Sequence, residues 1–471
     1  STMIDLFGIL ISAMPFVVAA VGLAGLGWPA SAAGGASLAV AVLGAVVWPD
    51  LEATAVPGAL FAGLGTSAQV LYVLFGGLLL YNLLSAGGAV DAVSLFLGGL
   101  EPDRVALAAG VVVGVAPFFE SVTGFGVAVV ISAPILLAAG FTQLRAAALA
   151  SWGQCAVPWG ALGVGTVIGA HLAGMGFGTL SDVSAFLSIP LFPVYGVAAV
   201  ALAGGWTGVR RRGAEAIGVG LVAGTGTLLT SLYLVPELSG AVGGLAATGL
   251  FLARRRNRLA GVPVRALLPY AFLLALLAAA NGIGALRWAL EELGPVFGGP
   301  GLPLLASGAF AALLLGLGGN EIGAATRRTV TQWLPTAAAV LTFVLAGEVV
   351  AESGAARLLA AGAEALGIFF PTVSPVLAAL GGAITGSNAA SNALFMPLQV
   401  EAARELGISE ILTAAVQNVA GSHASMLAPQ RLVLAATATG LLGREGDILR
   451  ASVAPVTVSI GLLAMLGMLL S

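Results

Sequence analysis

Two short polar clusters interrupt an otherwise apolar chain of 471 residues. The first, Glu120-Ser121-Val122-Thr123-Gly124-Phe125-Gly126, offers one carboxyl group and two hydroxyls. The second, Thr385-Gly386-Ser387-Asn388-Ala389-Ala390-Ser391-Asn392, offers only neutral hydroxyls and amides. Each lies within a stretch long enough to enter a bilayer, where polar groups are costly and therefore functional by default. A lone acid in such a place suits proton carriage, which makes Glu120 a proton-coupling candidate. Neutral donors suit a small carboxylate with an adjacent hydroxyl, so Ser121, Thr123, Gly124, Ser387, Asn388, Ser391 and Asn392 are substrate-binding candidates. The bland alternative for these groups is helix capping and helix–helix hydrogen bonding.

Two more polar runs follow the clusters. Gly153-Gln154-Cys155-Ala156-Val157-Pro158-Trp159-Gly160 and Gln417-Asn418-Val419-Ala420-Gly421-Ser422-His423 sit midway along apolar segments 143–175 and 409–442. As straight helices these segments would run ~50 Å against a hydrocarbon core of ~30 Å, so both are read as broken helices. Gln154 and Asn418 join the binding candidates on that ground, and His423 is a second proton-coupling candidate, with a hydrogen-bonded core histidine as the alternative. Arg431 is the one basic residue well inside a span. The favoured reading has it snorkelling to the cytoplasmic face; the others make it the substrate's cation or the partner of Glu120.

The elements that position these residues follow from composition. The chain is 59% hydrophobic and 8% charged, far below the quarter charged that soluble domains carry. This predicts an all-α polytopic membrane protein. One cysteine excludes a disulfide within the chain, two histidines argue against a haem or zinc centre, and no cofactor or metal is expected. A net charge of −3 without a basic arm gives no reason to expect nucleic acid.

Apolar runs predict about twelve transmembrane helices: 4–27, 32–49, 58–84, 143–175, 183–208, 214–237, 239–253, 265–290, 301–318, 331–350, 409–442 and 451–470. Stretches 108–140 and 373–400 carry the polar clusters and read as re-entrant hairpins. Segments 86–102 and 353–369 read as interfacial helices. With these spans Arg104, Arg145, Arg210, Arg211, Arg212, Arg254, Arg255, Arg256, Arg258, Arg265, Arg327, Arg328, Arg444 and Arg450 share one side, and only Arg287, Arg357 and Arg404 take the other. The positive-inside rule makes the first side cytoplasmic and puts both termini outside a plasma (inner) membrane.

An offset of 267 pairs Gly140 with Gly407, Thr142 with Ser409, Gly87 with Gly354, and Glu120 with Ser387. Such self-similarity reads as an internal repeat. Seven spans between equivalent points make the repeats inverted. The first covers 4–208, with hairpin 108–140 and broken helix 143–175; the second covers 265–470, with hairpin 373–400 and broken helix 409–442; helices within 214–253 link them. Thr142 and Ser409 are expected to cap the helices they precede. Hairpin tips and broken helices meeting at the midplane would form a solute site.

Phe119-Glu120 before Gly124-Phe125-Gly126, Thr385-Gly386-Ser387 before Ser391-Asn392-Ala393-Leu394-Phe395, and Pro429-Gln430 before Ala438-Thr439-Gly440-Leu441 and Gly446-Asp447 resemble the lactate permease family of 2-hydroxymonocarboxylate transporters. The resemblance covers most of the chain. It implies proton symport of L-lactate, glycolate and related acids. It also implies the design of the wider ion-transporter superfamily: inverted repeats, a scaffold and a moving transport domain working as an elevator, and a homodimer. The sequence departs from that pattern at Asn388, where relatives often carry an acid, and at Ser425, where they often carry lysine. Loss of both is the expected signature of a discarded buried ion pair or of a different substrate. A sodium-coupled transporter of another organic anion is the alternative, since bare carbonyls and Ser/Asn oxygens suit sodium. An enzyme is disfavoured by the absence of a nucleophile or metal-ligand motif, and a channel by the absence of a filter or acid ring.

Overall fold

The computed structural model describes residues 6–101, 103–255, 257 and 261–470. In chain order its helices are α1 (Leu6–Ala20), α2 (Ala30–Val47), α3 (Val56–Ala86), α4 (Ala89–Leu100), α5 (Arg104–Gly110), α6 (Ala116–Thr123), α7 (Val127–Ala138), α8 (Gln143–Trp152), α9 (Gly160–Leu172), α10 (Phe177–Ser188), α11 (Leu191–Tyr233) and α12 (Ser239–Ala253). They continue as α13 (Val264–Gly282), α14 (Gly284–Glu291), α15 (Gly294–Phe297), α16 (Gly301–Leu315), α17 (Gly319–Glu352), α18 (Ala355–Ala363), α19 (Phe370–Thr385), α20 (Asn388–Glu405), α21 (Glu410–Ala424), α22 (Pro429–Thr439) and α23 (Glu445–Leu470). No strand occurs among the described residues. Eleven helical stretches are long and apolar enough to cross a membrane, which makes this a multi-pass membrane protein.

Every expected span overlaps helix, but the eleven are not the expected twelve: 239–253 and 409–442 are not among them, whereas Arg104–Thr123 and Leu366–Thr385, the first arms of the expected hairpins, are, and several boundaries move. Span 183–208 starts earlier, in α10, and is interrupted at Ile189–Pro190, because proline removes a helical N–H and crowds the preceding turn. The chain then reverses within α11 at Gly205, whose φ of 61° and ψ of −159° are open to glycine. The two halves of α11 run antiparallel, with Gly196 against the Ala216 carbonyl and Gly220 against the backbone of Pro193. Arg210, Arg211 and Arg212 therefore open the second half of α11 instead of forming a connecting loop. Span 265–290 divides into α13 and α14 at Ile283. Arg256 and Arg258, used above to assign the cytoplasmic side, and residues 4 and 5 of the first span lie outside the described residues.

At the base of α5 the charges are paired. Asp103 accepts from Val105 N and meets Arg211 and Arg212, while Glu215 meets Arg212, Arg254 and Arg255. Arg255 also pairs with Glu101 and lies over the Phe251 ring. For Asp103 the cost of burial raises the pKa, but the Arg212 hydrogen bond, the Val105 N–H and the two guanidiniums outweigh it and hold the carboxyl below the usual range.

Two groups of helices build the molecule. In one, α2, α3 and α16 pack on one another or on α17; in the other, α19, α20 and α21 pack together with α9 and α10. The groups meet where α17 packs on α20 and α3 on α9. Contact is close because small residues let backbones approach, the usual device in lipid. At Gly382 of α19 a Cβ would overlap the Gly421 carbonyl of α21, whereas Gly362 faces open space. Gly382→Ala is therefore expected to cost about 3 kcal/mol through backbone displacement. Gly362→Ala is expected to be neutral or slightly stabilising. Thermal unfolding of the two purified variants in detergent checks the contrast.

Thr142 and Ser409 cap α8 and α21, accepting from Arg145 N and Leu412 N, as the sequence pattern predicts. Gly140 and Gly407 precede them at φ of 85° and 67°. The gap-free offset fails at two of the other expected pairs. Gly354 (φ 85°) matches Gly88 (φ 70°) in conformation, not Gly87. The turn glycine Gly386 stands 262 positions after Gly124, so Glu120 and Ser387 are not equivalent points.

Candidate functional site

The first tip connects α6 to α7 through three successive left-handed residues, Gly124, Phe125 and Gly126, at φ of 68°, 58° and 76°. A side chain on Gly124 would meet Ala161, and one on Gly126 would meet Arg431 and Leu434, so the tip needs glycine for space as well as conformation. Glu120 lies one turn before the tip and is 1% exposed. Its carboxylate accepts from Gly126 N and Ala128 N, both at 3.3 Å, and so caps the start of α7. The second tip connects α19 to α20. Gly386 takes φ 63°, and Ser387 caps α20 by accepting from Ala390 N.

Both tips face broken backbone. Between α8 and α9 the chain passes through a 3₁₀ turn, Gly153–Trp159, and then a left-handed stretch at Ala161, Leu162 and Gly163 with φ of 49°, 57° and 84°. Two adjacent non-glycine residues at positive φ store strain, a feature that clusters at functional sites. The second break is not where the polar run predicts it. Gln417, Asn418, Ser422 and His423 lie within α21, and the interruption falls later, at Ser425–Ala428. Gln417, Asn418 and His423 bond sideways to neighbouring elements and Ser422 bonds back to the Asn418 carbonyl of its own helix, so none of them unwinds α21.

Asn418 is the hub of that sideways network. Its Oδ1 accepts from Asn388 Nδ2 and Asn392 Nδ2, both at 2.9 Å, and its Nδ2 donates to Thr166 Oγ1 and Ser184 Oγ, both at 3.0 Å. Asn392 Nδ2 also donates to the Gly165 carbonyl. Four helices, α9, α10, α20 and α21, are thus tied at one point. Asn388, 4% exposed, keeps its Oδ1 without a partner. Thr166 escapes sequence reasoning because it is an isolated hydroxyl in an apolar helix, and Ser184 because it is one of several hydroxyls along α10.

A cavity of about 70 Å³ lies where tips and breaks converge. Glu120, Gly124, Gly160, Ala161, Ser387, Asn388 and Arg431 line it, with Thr336 and Val340 from α17. A wider space of about 380 Å³, bounded by Ala30, Phe343, Thr385 and Gln430, shares Phe125, Ser387 and Arg431 with it. Arg431 does not run out to a membrane face. Its Nε donates to the Gly386 carbonyl at 3.0 Å, which turns the side chain onto the second tip.

Of the candidate binding residues, Gly124, Ser387 and Asn388 line this cavity, and Asn392 and Asn418 stand directly behind it through hydrogen bonds. Ser391 belongs instead to a packing network with Gln417 and the Ala378 carbonyl. Thr123 donates to Phe119 O in its own helix, and Gln154 Nε2 donates to Ser151 O. Ser121 turns away, pressed against Gly240 of α12, and its Oγ has no partner. His423 is fully buried away from the cavity. Its Nε2 must donate to the Cys155 carbonyl at 3.0 Å, and Nδ1 shares a hydrogen bond with Ser459 Oγ at 2.6 Å, with Tyr195 edge-on to the ring. That arrangement spends both ring nitrogens on protein partners away from the cavity, as in a packing residue. Ser121→Ala is accordingly expected to leave both uptake and thermal stability within experimental error of the wild type, since no hydrogen bond is lost.

Ser425, one of the two departures noted in the sequence, donates to Ser422 O within the turn that breaks the second helix. Among the described residues no group of three or more His, Cys, Asp or Glu is placed to hold a metal.

The family model described as L-lactate permease matches residues 8–259 and 295–471. An L-lactate permease of Salmonella typhimurium is 27% identical, covering 88% of this chain and 86% of its own length. A glycolate permease, GlcA, of Escherichia coli is 26% identical, covering 82% of this chain and 81% of its own. Among solved structures, the YdaH transporter of Alcanivorax borkumensis covers 88% of this chain and 87% of its own at 19% identity and a TM-score of 0.45, a likeness too distant to carry detail.

Proposed function

The chain belongs to the L-lactate permease family, and on that footing we propose that it is a proton-driven carrier of lactate, glycolate and related small 2-hydroxymonocarboxylates. The observation that carries this reading is the cavity itself. One acid, Glu120, and the neutral donors and acceptors of Ser387 and Asn388 face a space of small-molecule size between two helical tips. Relatives named for lactate and glycolate supply the substrate class.

In this reading α5–α7 and α19–α20 are re-entrant hairpins in two inverted repeats, and both termini lie outside the inner membrane. Support comes from the paired caps Thr142 and Ser409, the paired glycines Gly140 and Gly407, and a broken helix following each hairpin. Substrate reaches alternate sides when the hairpins and broken helices move as one body past α2, α3, α16 and α17. Glu120 carries the proton, Ser387 and Asn388 bind substrate, and Asn392 and Asn418 hold Asn388 in place.

The test is uptake of labelled lactate and glycolate into proteoliposomes under imposed pH or sodium gradients. Saturable uptake driven by an inside-alkaline gradient is expected. Uptake that needs sodium and ignores pH would favour the sodium-coupled alternative, for which the unpartnered Asn388 Oδ1 is the supporting feature. No uptake of any small carboxylate under either gradient would sink the proposal.

A further inference from the structure

Arg431 stands in the first turn of α22, directly after the break at Ser425–Ala428. Its Nε is committed to the Gly386 carbonyl, and the neighbouring Gln430 Nε2 donates to the Thr385 carbonyl, so this turn is fastened to the second tip. The guanidinium also lies against the first tip, 2.7 Å from where a Gly126 Cβ would stand. Among the described residues no acid makes a direct ion pair with it: Glu120 faces it across the cavity and acts on it through space, but spends its oxygens on Gly126 N and Ala128 N. A cation bared to a cavity inside a membrane protein calls for an anion.

The cavity supplies a second, independent pointer. Asn388 Nδ2 is used by Asn418, but its buried Oδ1 has no partner and can only accept. A ligand that fits both features carries a carboxylate for Arg431 and, beside it, a hydroxyl that donates to Asn388. That is the chemistry of a 2-hydroxy acid.

We propose that Arg431 binds the substrate carboxylate, that Asn388 Oδ1 reads the 2-hydroxyl, and that Glu120 and the substrate alternate as the counter-ion of Arg431. The inference rests on the transport reading above. Its physical core is charge balance. With Glu120 ionised the pair of Glu120 and Arg431 is neutral overall; an entering carboxylate would leave one uncompensated negative charge in a water-poor site. Protonation of Glu120 removes it, so one anion and one proton are taken up together. Glu120 and Arg431 are the charged groups that line the cavity; α3, α9, α17 and α20 contribute Leu74, Val164, Gly165, Thr336, Val340, Ser387 and Asn388, all neutral. Among the described residues, the other titratable groups on elements packed near α6 are Cys155, whose Sγ donates to Val112 O, Tyr270, which stacks on Phe118 and Phe119, Tyr72 and Tyr81 of α3, and His171 of α9, which pairs with Glu348 of α17; none lines the cavity.

Binding of labelled lactate and of propionate, which lacks the hydroxyl, to purified protein across pH separates the roles. The wild type should bind lactate with an affinity that falls as pH rises, and should bind propionate at least about tenfold more weakly. Arg431→Gln should weaken lactate binding about 10- to 100-fold, the range for a charge-assisted hydrogen bond. Asn388→Ala should level lactate with propionate. Glu120→Gln, which leaves the lactate-loaded cavity neutral without a proton, should still bind lactate but with an affinity indifferent to pH, so the proposal stays testable if Arg431→Gln fails to fold. Lactate binding by folded Arg431→Gln at wild-type affinity, or pH-dependent binding by Glu120→Gln, overturns the inference while leaving the transport reading intact. A wild type that binds no small carboxylate overturns both.

Discussion

Replacing Glu120 with glutamine is expected to abolish accumulation of substrate while sparing its exchange. In proteoliposomes with an inside-alkaline gradient of one pH unit, the wild type should concentrate lactate about tenfold, because one unit is worth 1.36 kcal/mol per proton. The variant should equilibrate labelled lactate to about onefold at a measurable rate. The reason lies in what the side chain does. Its oxygens already cap α7 through Gly126 N and Ala128 N, and the amide oxygen of glutamine can keep one of these bonds. Shape and neutrality survive; the exchangeable proton does not. A structural carboxylate would give the opposite pattern, with a variant that is unstable yet still concentrates substrate if it folds. Uptake and counterflow measured on the same vesicles distinguish the two.

Replacing Asn418 with leucine should do more damage to the fold than any other single change near the cavity. The amide serves Asn388, Asn392, Thr166 and Ser184 at once. Its loss strands several buried donors and acceptors, each worth about 1–3 kcal/mol. These costs do not add simply, because Asn392 retains the Gly165 carbonyl and Thr166 retains the Pro158 carbonyl. A fall of several kcal/mol in stability is expected, seen as an unfolding temperature lowered by more than 5 °C. Lactate affinity should fall as well in whatever protein survives, since Asn388 loses the bond that aims it.

Much of this architecture was legible in the sequence because it follows from local rules. Apolar length gave the spans, and Thr142 and Ser409 announced their helices as N-cap residues in front of apolar runs. The clusters around Glu120 and Ser387 marked two tips that the fold brings to one cavity. What escaped depends on contacts across the molecule. Asn418 and His423 look like helix breakers in one dimension, but α9, α10 and α23 provide their partners, so α21 continues through them. Arg431 turns inward because a carbonyl on a hairpin tip, forty-five positions away, is free to accept. The repeat offset fails at the tips because a few residues' difference in arm length is invisible when polar clusters are matched by composition alone. Ser121 and Thr123 share a cluster with Glu120 but leave α6 in other directions, a consequence of 100° per residue that spacing already contains.

The central claim is that substrate and proton enter together. The direct measurement is luminal pH in proteoliposomes holding a trapped pH-sensitive dye, with no imposed gradient, after external lactate or glycolate is added. The account predicts saturable acidification well above that of protein-free vesicles, retained without sodium and lost in Glu120→Gln. Entry of labelled substrate with luminal pH no different from protein-free vesicles, or entry that stops when sodium is removed, would contradict it.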